Sequence, residues 1–177
     1  MMEALETDGT VRVWDPLVRT FHWTLVGAFF GAFVLDDPRR LHEMLGYIAV
    51  AAVAVRLIWG FVGTRHARFA DFVPRPSTFF SYLGDSVRGR ERRYLGHNPA
   101  GGAMVVALIT MVVLLGLSGW MMSLDPFWGA DWLEEAHETL ANLAVGLVVL
   151  HVAGVIWESR RHGENLVAAM ITGVKRR

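Results

Sequence analysis

Seven histidines punctuate a chain that carries no cysteine. Four of them fall in or at the edge of long apolar runs. His22 lies in LVRTFHWTLVGAFFGAFVL, His42 opens LHEMLGYIAVAAVAVRLIWGFVG, and His137 and His151 both belong to EEAHETLANLAVGLVVLHVAG. An imidazole inside such a run costs free energy unless its ring nitrogens find partners. His137 and His151 are fourteen residues apart. That is close to four helical turns, so they leave one helix from nearly the same face, about 21 Å apart along its axis. Neutral imidazole is a strong metal ligand. The lack of cysteine excludes a disulfide framework, thiolate iron–sulfur ligation and covalent CxxCH haem attachment.

The elements that position these residues follow from hydropathy. The chain has 177 residues, is 53% hydrophobic and has a positive mean hydropathy. That length suits one domain, residues 1–177. Four stretches, near 17–35, 41–63, 101–122 and 135–157, are each long enough to span a membrane as a helix. The third is uncharged throughout. A soluble four-helix bundle would show polar faces at helical period, and this stretch has none. The expected fold is therefore all-α, an integral membrane four-helix bundle. The N-terminal MMEALETDGT is polar and acidic, without a secretory signal.

The net charge is zero, yet the charges are segregated. Seven arginines lie in the loop 64–100, between Arg65 and Arg93, and five more basic residues follow Trp157. The linker SLDPFWGADWLEE has none. The excess of Lys and Arg puts both termini and the loop 64–100 in the cytoplasm, with the short linkers outside. Arginine beside a span reads as topology or lipid contact rather than nucleic-acid binding, and no nucleic-acid motif is visible. Phe79, Phe80, Tyr82 and Leu83 fit a short interfacial helix in that loop.

This topology sorts the histidines by depth. His22 and His151 fall near the inner side, His42 and His137 near the outer side. Two imidazoles at each of two levels suit a planar iron macrocycle, which takes one axial ligand from each side and an apolar slot for its faces. Gly27, Gly31, Gly46, Ala49, Gly146 and Ala153 are small enough to admit a flat ring, though such residues also serve plain helix packing. Zinc or copper would want several ligands converging at one point. Arg19 and Arg56 can pair with propionates of the inner haem or snorkel to the interface. His97, in GHNPAGG, can reach a propionate or a quinone, or serve only as a turn residue. His66 and His162 lie in the loop and tail and are not expected as axial ligands. The carboxylates Glu43, Glu134, Glu135 and Glu138 form an acidic outer rim.

The segments VRVWDPLVRTFHW, LHEMLGYIAVAAVAVRLIWGFVG, RYLGHNPAGGAMVVALI, WLEEAHETLANL and HVAGVIWESRRHGENLVAAMITGVKRR together resemble the bacterial cytochrome b561 family. That family is related to the b-type cytochrome subunit of nickel–iron hydrogenases. The resemblance covers essentially the whole chain. It implies four transmembrane helices and two non-covalent b haems. The ligands it implies are His22 with His151 and His42 with His137. It also implies electron exchange in the bacterial inner membrane between the quinone pool and a separate redox partner, such as a periplasmic c-type cytochrome or a hydrogenase. The alternative within the family is a superoxide:quinone oxidoreductase that needs no protein partner. A metal transporter would expect helix breaks at mid-membrane, and no proline interrupts the four spans. The sequence leaves a homodimer open.

Overall fold

The computed structural model describes residues 9–35 and 37–177. Residues 1–8 of the polar N-terminal stretch, and Asp36 in the first linker, lie outside the described residues. Four long helices dominate: α1 (Pro16–Val34), α2 (Arg39–Val62), α5 (Pro99–Met121) and α6 (Asp131–His162). All four are long and apolar enough to cross a membrane. They expose large apolar side chains such as Phe61, Val62, Val34 and Ile58. Water would penalise such an exterior, whereas lipid does not. The helical membrane fold expected from the sequence is thus present.

Shorter elements fill the segment between α2 and α5. A 3-10 turn covers Arg65–Ala67, followed by α3 (Phe69–Phe72) and α4 (Pro76–Val87). Pro76 begins α4, where its missing N–H is no loss. Another 3-10 turn, Asp125–Phe127, joins α5 to α6. The acidic residues Asp131 and Glu134 occupy the first turn of α6, and Arg160, Arg161 and His162 its last. Both placements favour the helix dipole.

The sequence reading contained no strand, but the structure has two short ones. β1 (Thr10–Arg12) pairs antiparallel with β2 (Val174–Arg176), with Val11 opposite Lys175. α7 (Leu166–Thr172) leads into β2 and ends at Gly173, which is in the left-handed conformation. The backbone N–H groups of Val13 and Trp14 both donate to the Gly173 carbonyl, at 2.9 and 3.0 Å.

The chain forms two compact units, and each long helix contributes residues to both. The first holds the described residues up to Arg19, together with Ile58–Val105 and Leu150–Arg177. Its core is Val13, Trp14, Val18, Ala67 and Ala169, with Trp59, Leu95 and Met170 packed against it. Asp15 is buried at the start of α1. It accepts hydrogen bonds from the Val18 N–H (2.9 Å), Trp59 Nε1 (2.9 Å) and Thr64 Oγ1 (2.6 Å). It therefore caps α1 and ties that end to the last turn of α2 and the residues beyond. Burial pushes its carboxyl pKa up, but the bonds from Thr64, Trp59 and the backbone outweigh that and hold it below the usual value. Lys175 is buried as well, its Nζ donating to the carbonyls of Tyr94 and Leu95.

The second unit holds Thr20–Leu57 and Val106–Val149. Ala28, Ala49, Val53, Ile109, Val112, Leu133 and Ala144 are its buried apolar residues. Arg56 and Ser118 are buried with them.

Candidate functional site

His42 sits in the first turn of α2 and His137 in the second turn of α6. Within the second unit their rings come together, with centroids 6.1 Å apart and planes inclined by 67°. Neither ring is free to choose its tautomer. His42 Nδ1 lies 2.8 Å from the carbonyl oxygen of Ala32. A carbonyl only accepts, so Nδ1 carries the proton and donates. His137 Nδ1 lies 2.8 Å from Ser118 Oγ. That hydroxyl already donates to the Leu115 carbonyl at 3.1 Å, so it accepts from Nδ1–H. Both histidines therefore present Nε2 as a bare lone pair. Fixing a ligand imidazole through its other nitrogen in this way is the usual device of metal-binding histidines.

The spacing fits a metal between the rings. With a metal–nitrogen bond of about 2.0 Å on each side, two imidazole centres stand roughly 6.4 Å apart. The observed 6.1 Å matches this. Among the described residues, no three His, Cys, Asp or Glu side chains come together as a metal cluster. Two nitrogens suit an ion whose remaining ligands arrive with it, as in haem. Some of the small residues singled out in the sequence have open space beside them. A Cβ added at Gly27, Gly46 or Gly146 would meet nothing within 4 Å. Gly31, grouped with these from the sequence, instead packs against Leu45. At Gly119 a Cβ would stand 3.4 Å from His137 Cε1, so the missing side chain lets that ring lie against α5.

The other two histidines are placed separately. His22, half-buried in α1, belongs to the second unit and meets Trp23 edge-on at 5.0 Å. His151, half-buried in α6, belongs to the first unit. Arg56 is 2% exposed. Enclosure within protein, not snorkelling to an interface, describes it. Arg19 Nη1 donates to the Ile171 carbonyl at 2.6 Å, while its Nε is buried without a hydrogen-bond partner. His97 meets the rings of Trp14 and Phe72, each at 4.7 Å. His66 faces Asp71 at 3.2 Å and His162 faces Glu158 at 3.3 Å. Of the rim carboxylates, Glu43 pairs with Arg39 at 2.8 Å, and Arg39 also lies over the Trp128 ring.

Sequence reading missed Ser118 and the Ala32 carbonyl. Ser118 did carry a signal. It is the one serine of α5, and it lies near the end of that helix that precedes the linker to His137. The carbonyl carried none, because every residue has one.

Comparison with known proteins identifies the family. The family model described as prokaryotic cytochrome b561 matches residues 13–173. A probable Ni/Fe-hydrogenase B-type cytochrome subunit of Rhodobacter capsulatus is 21% identical, over 97% of this chain and 84% of that protein. Its counterpart in Rhizobium leguminosarum bv. viciae is 22% identical, over 93% and 88%. That of Azotobacter vinelandii is 24% identical, over 75% and 67%. No solved structure matches the chain. The match runs from the strand-proximal Val13 to Gly173 and so takes in all four apolar helices and every histidine discussed above; the chain belongs to the prokaryotic cytochrome b561 family, multi-pass membrane proteins of the b-type cytochrome class, for which haem b is the implied cofactor.

Proposed function

We propose that the chain is a di-haem b-type cytochrome of the bacterial inner membrane. It carries electrons between the quinone pool and a redox partner on the periplasmic side. The observation that carries this reading is the His42–His137 pair, with its 6.1 Å ring separation and both Nδ1 atoms committed to hydrogen bonds. His42 and His137 hold the outer haem through Nε2. His22 and His151 hold the inner one, on the strength of their matched depth in the sequence. Haem iron supplies one-electron chemistry between its ferrous and ferric states.

The residues around the ligands tune and seat the cofactor. Ser118 and the Ala32 carbonyl hold both outer imidazoles by Nδ1 and so fix their orientation. The orphaned Nε of Arg19 is the kind of buried donor that a propionate satisfies. Arg56 and His97 complete the polar set on which the propionates and a quinone can draw. Both termini and the loop 64–100 face the cytoplasm, following the distribution of arginine.

The test is a reduced-minus-oxidised spectrum of the purified chain with haem extraction. Two low-spin b haems per chain are expected, and His42→Ala or His137→Ala should each remove one. Two haems surviving in His137→Ala would overturn the ligand assignment.

A further inference from the structure

We infer that α4 is a docking surface for the anionic phospholipid headgroup layer, and that the arginines around it select that lipid. The helix is two-sided, more so than the four apolar helices. Phe80, Leu83 and Val87 recur at three- and four-residue spacing, so they share one stripe. They are 68%, 39% and 90% exposed. The opposite side is pinned. Tyr82 is buried, its hydroxyl donating to Glu158 on α6 at 2.6 Å, and its ring meets Tyr94 edge-on at 6.0 Å. Ser77, Thr78, Ser81 and Asp85 border a polar cavity of about 360 Å³. With that side held, the apolar stripe faces away from the unit.

The charge around the stripe identifies what covers it. Arg68, Arg75, Arg88, Arg90 and Arg92 are exposed, and no ion pair joins any of them to a carboxylate among the described residues. The acidic residues of the same stretch are not available to answer them. Asp71 faces Arg65 and His66, and Glu91 is taken by Arg161. Only Asp85 is left, half-buried at the cavity. An exposed apolar stripe bordered by uncompensated arginines is the pattern of a helix lying in a headgroup layer that carries negative charge. Neighbouring α2 and α5 are themselves membrane-crossing in length and composition, so α4 is tethered at both ends beside the bilayer. The inference rests on the proposed topology only in assigning the layer to the cytoplasmic leaflet.

The chain has no cysteine, so single nitroxide labels can be placed cleanly. The full chain with Phe80→Cys, Leu83→Cys, Val87→Cys, Ser77→Cys or Ser81→Cys would be labelled in nanodiscs of phosphatidylglycerol or of phosphatidylcholine. Collision with oxygen and with a water-soluble nickel chelate reads lipid against water exposure. In phosphatidylglycerol the oxygen-to-nickel ratio should be several-fold higher at 80, 83 and 87 than at 77 and 81. It should fall in phosphatidylcholine. Replacing Arg88, Arg90 and Arg92 together by Gln should weaken insertion in phosphatidylglycerol on the order of 100-fold. Equal ratios at all five positions would overturn the docking. So would protection of the stripe from both reagents, which would mean that a second protein copy covers it. Identical insertion in both lipids would overturn the selection of anionic headgroups. The haem spectrum recorded on each sample reports the redox reading separately, since its loss would leave the accessibility pattern of α4 intact to be read.

Discussion

Ser118→Ala is the most informative single change at the outer histidine pair. It deletes the acceptor of the 2.8 Å bond from His137 Nδ1 and leaves that N–H in half-buried surroundings. Leaving a buried donor unpaired costs about 1–3 kcal/mol. Loss of such a second bond on a metal-binding histidine weakens metal affinity roughly 10–100-fold, which is the same range of free energy. The bond does two things for the ligand: it fixes the ring orientation and it raises the basicity of Nε2. Its removal should therefore speed loss of the outer haem to an apo-globin scavenger by one to two orders of magnitude. It should also raise that haem's midpoint potential, because a less basic imidazole favours the ferric state less. On the proposed two-haem reading, the inner haem serves as the internal control and should keep its potential. If Ser118→Ala left both the rate of loss and the potential of each haem unchanged, the tautomer argument at His137 would be wrong.

Gly173→Ala should destabilise the first unit, because Gly173 has φ +87° and a Cβ there would stand 2.6 Å from the Trp14 carbonyl. The left-handed conformation alone costs an alanine about 1–2 kcal/mol, so a lower melting temperature in detergent checks it. Asp15→Asn weakens two side-chain bonds to a buried carboxylate, a loss of about 1–3 kcal/mol. The folded pKa of Asp15 lies below its unfolded value, so its contribution is present above about pH 4 and lost as pH falls through the depressed folded pKa. Melting curves on the acid side should thus be flatter for Asp15→Asn than for the unmodified chain. Tyr82→Phe removes the donor to Glu158, and a loss of about 1–2 kcal/mol should appear in the same melting assay.

The four long helices were legible because lipid accepts an apolar side chain on any face. An uncharged run such as GGAMVVALITMVVLLGLSGWMM has no other stable home. The meeting of His42 with His137 was legible too, once charge bias had set the direction of each span, since depth then follows from counting residues. What supports those rings was not. The Ala32 carbonyl is a backbone atom that gives no sequence signal, and Ser118 looks like any small residue of a packed helix. Arg56 had two readings in the sequence, because a side chain near a helix end snorkels only if its face of the helix meets lipid; its burial favours the enclosed one. The β1–β2 ribbon was invisible. TVR and VKR are three residues each, more than 160 apart, and nothing local in either chooses a partner.

That ribbon has a consequence for biosynthesis. β2 follows all four apolar helices in chain order, so β1 has no pairing partner until the last of them has left the ribosome. Until then the backbone of Thr10–Arg12 lacks its strand partner, and Val13 and Trp14 lack Gly173 and Ala169, which bond to and pack against them in the folded chain. Closure of the ribbon is thus a late event in the making of the fold. A chain stalled after α6 would hold its four apolar helices without this strand pair.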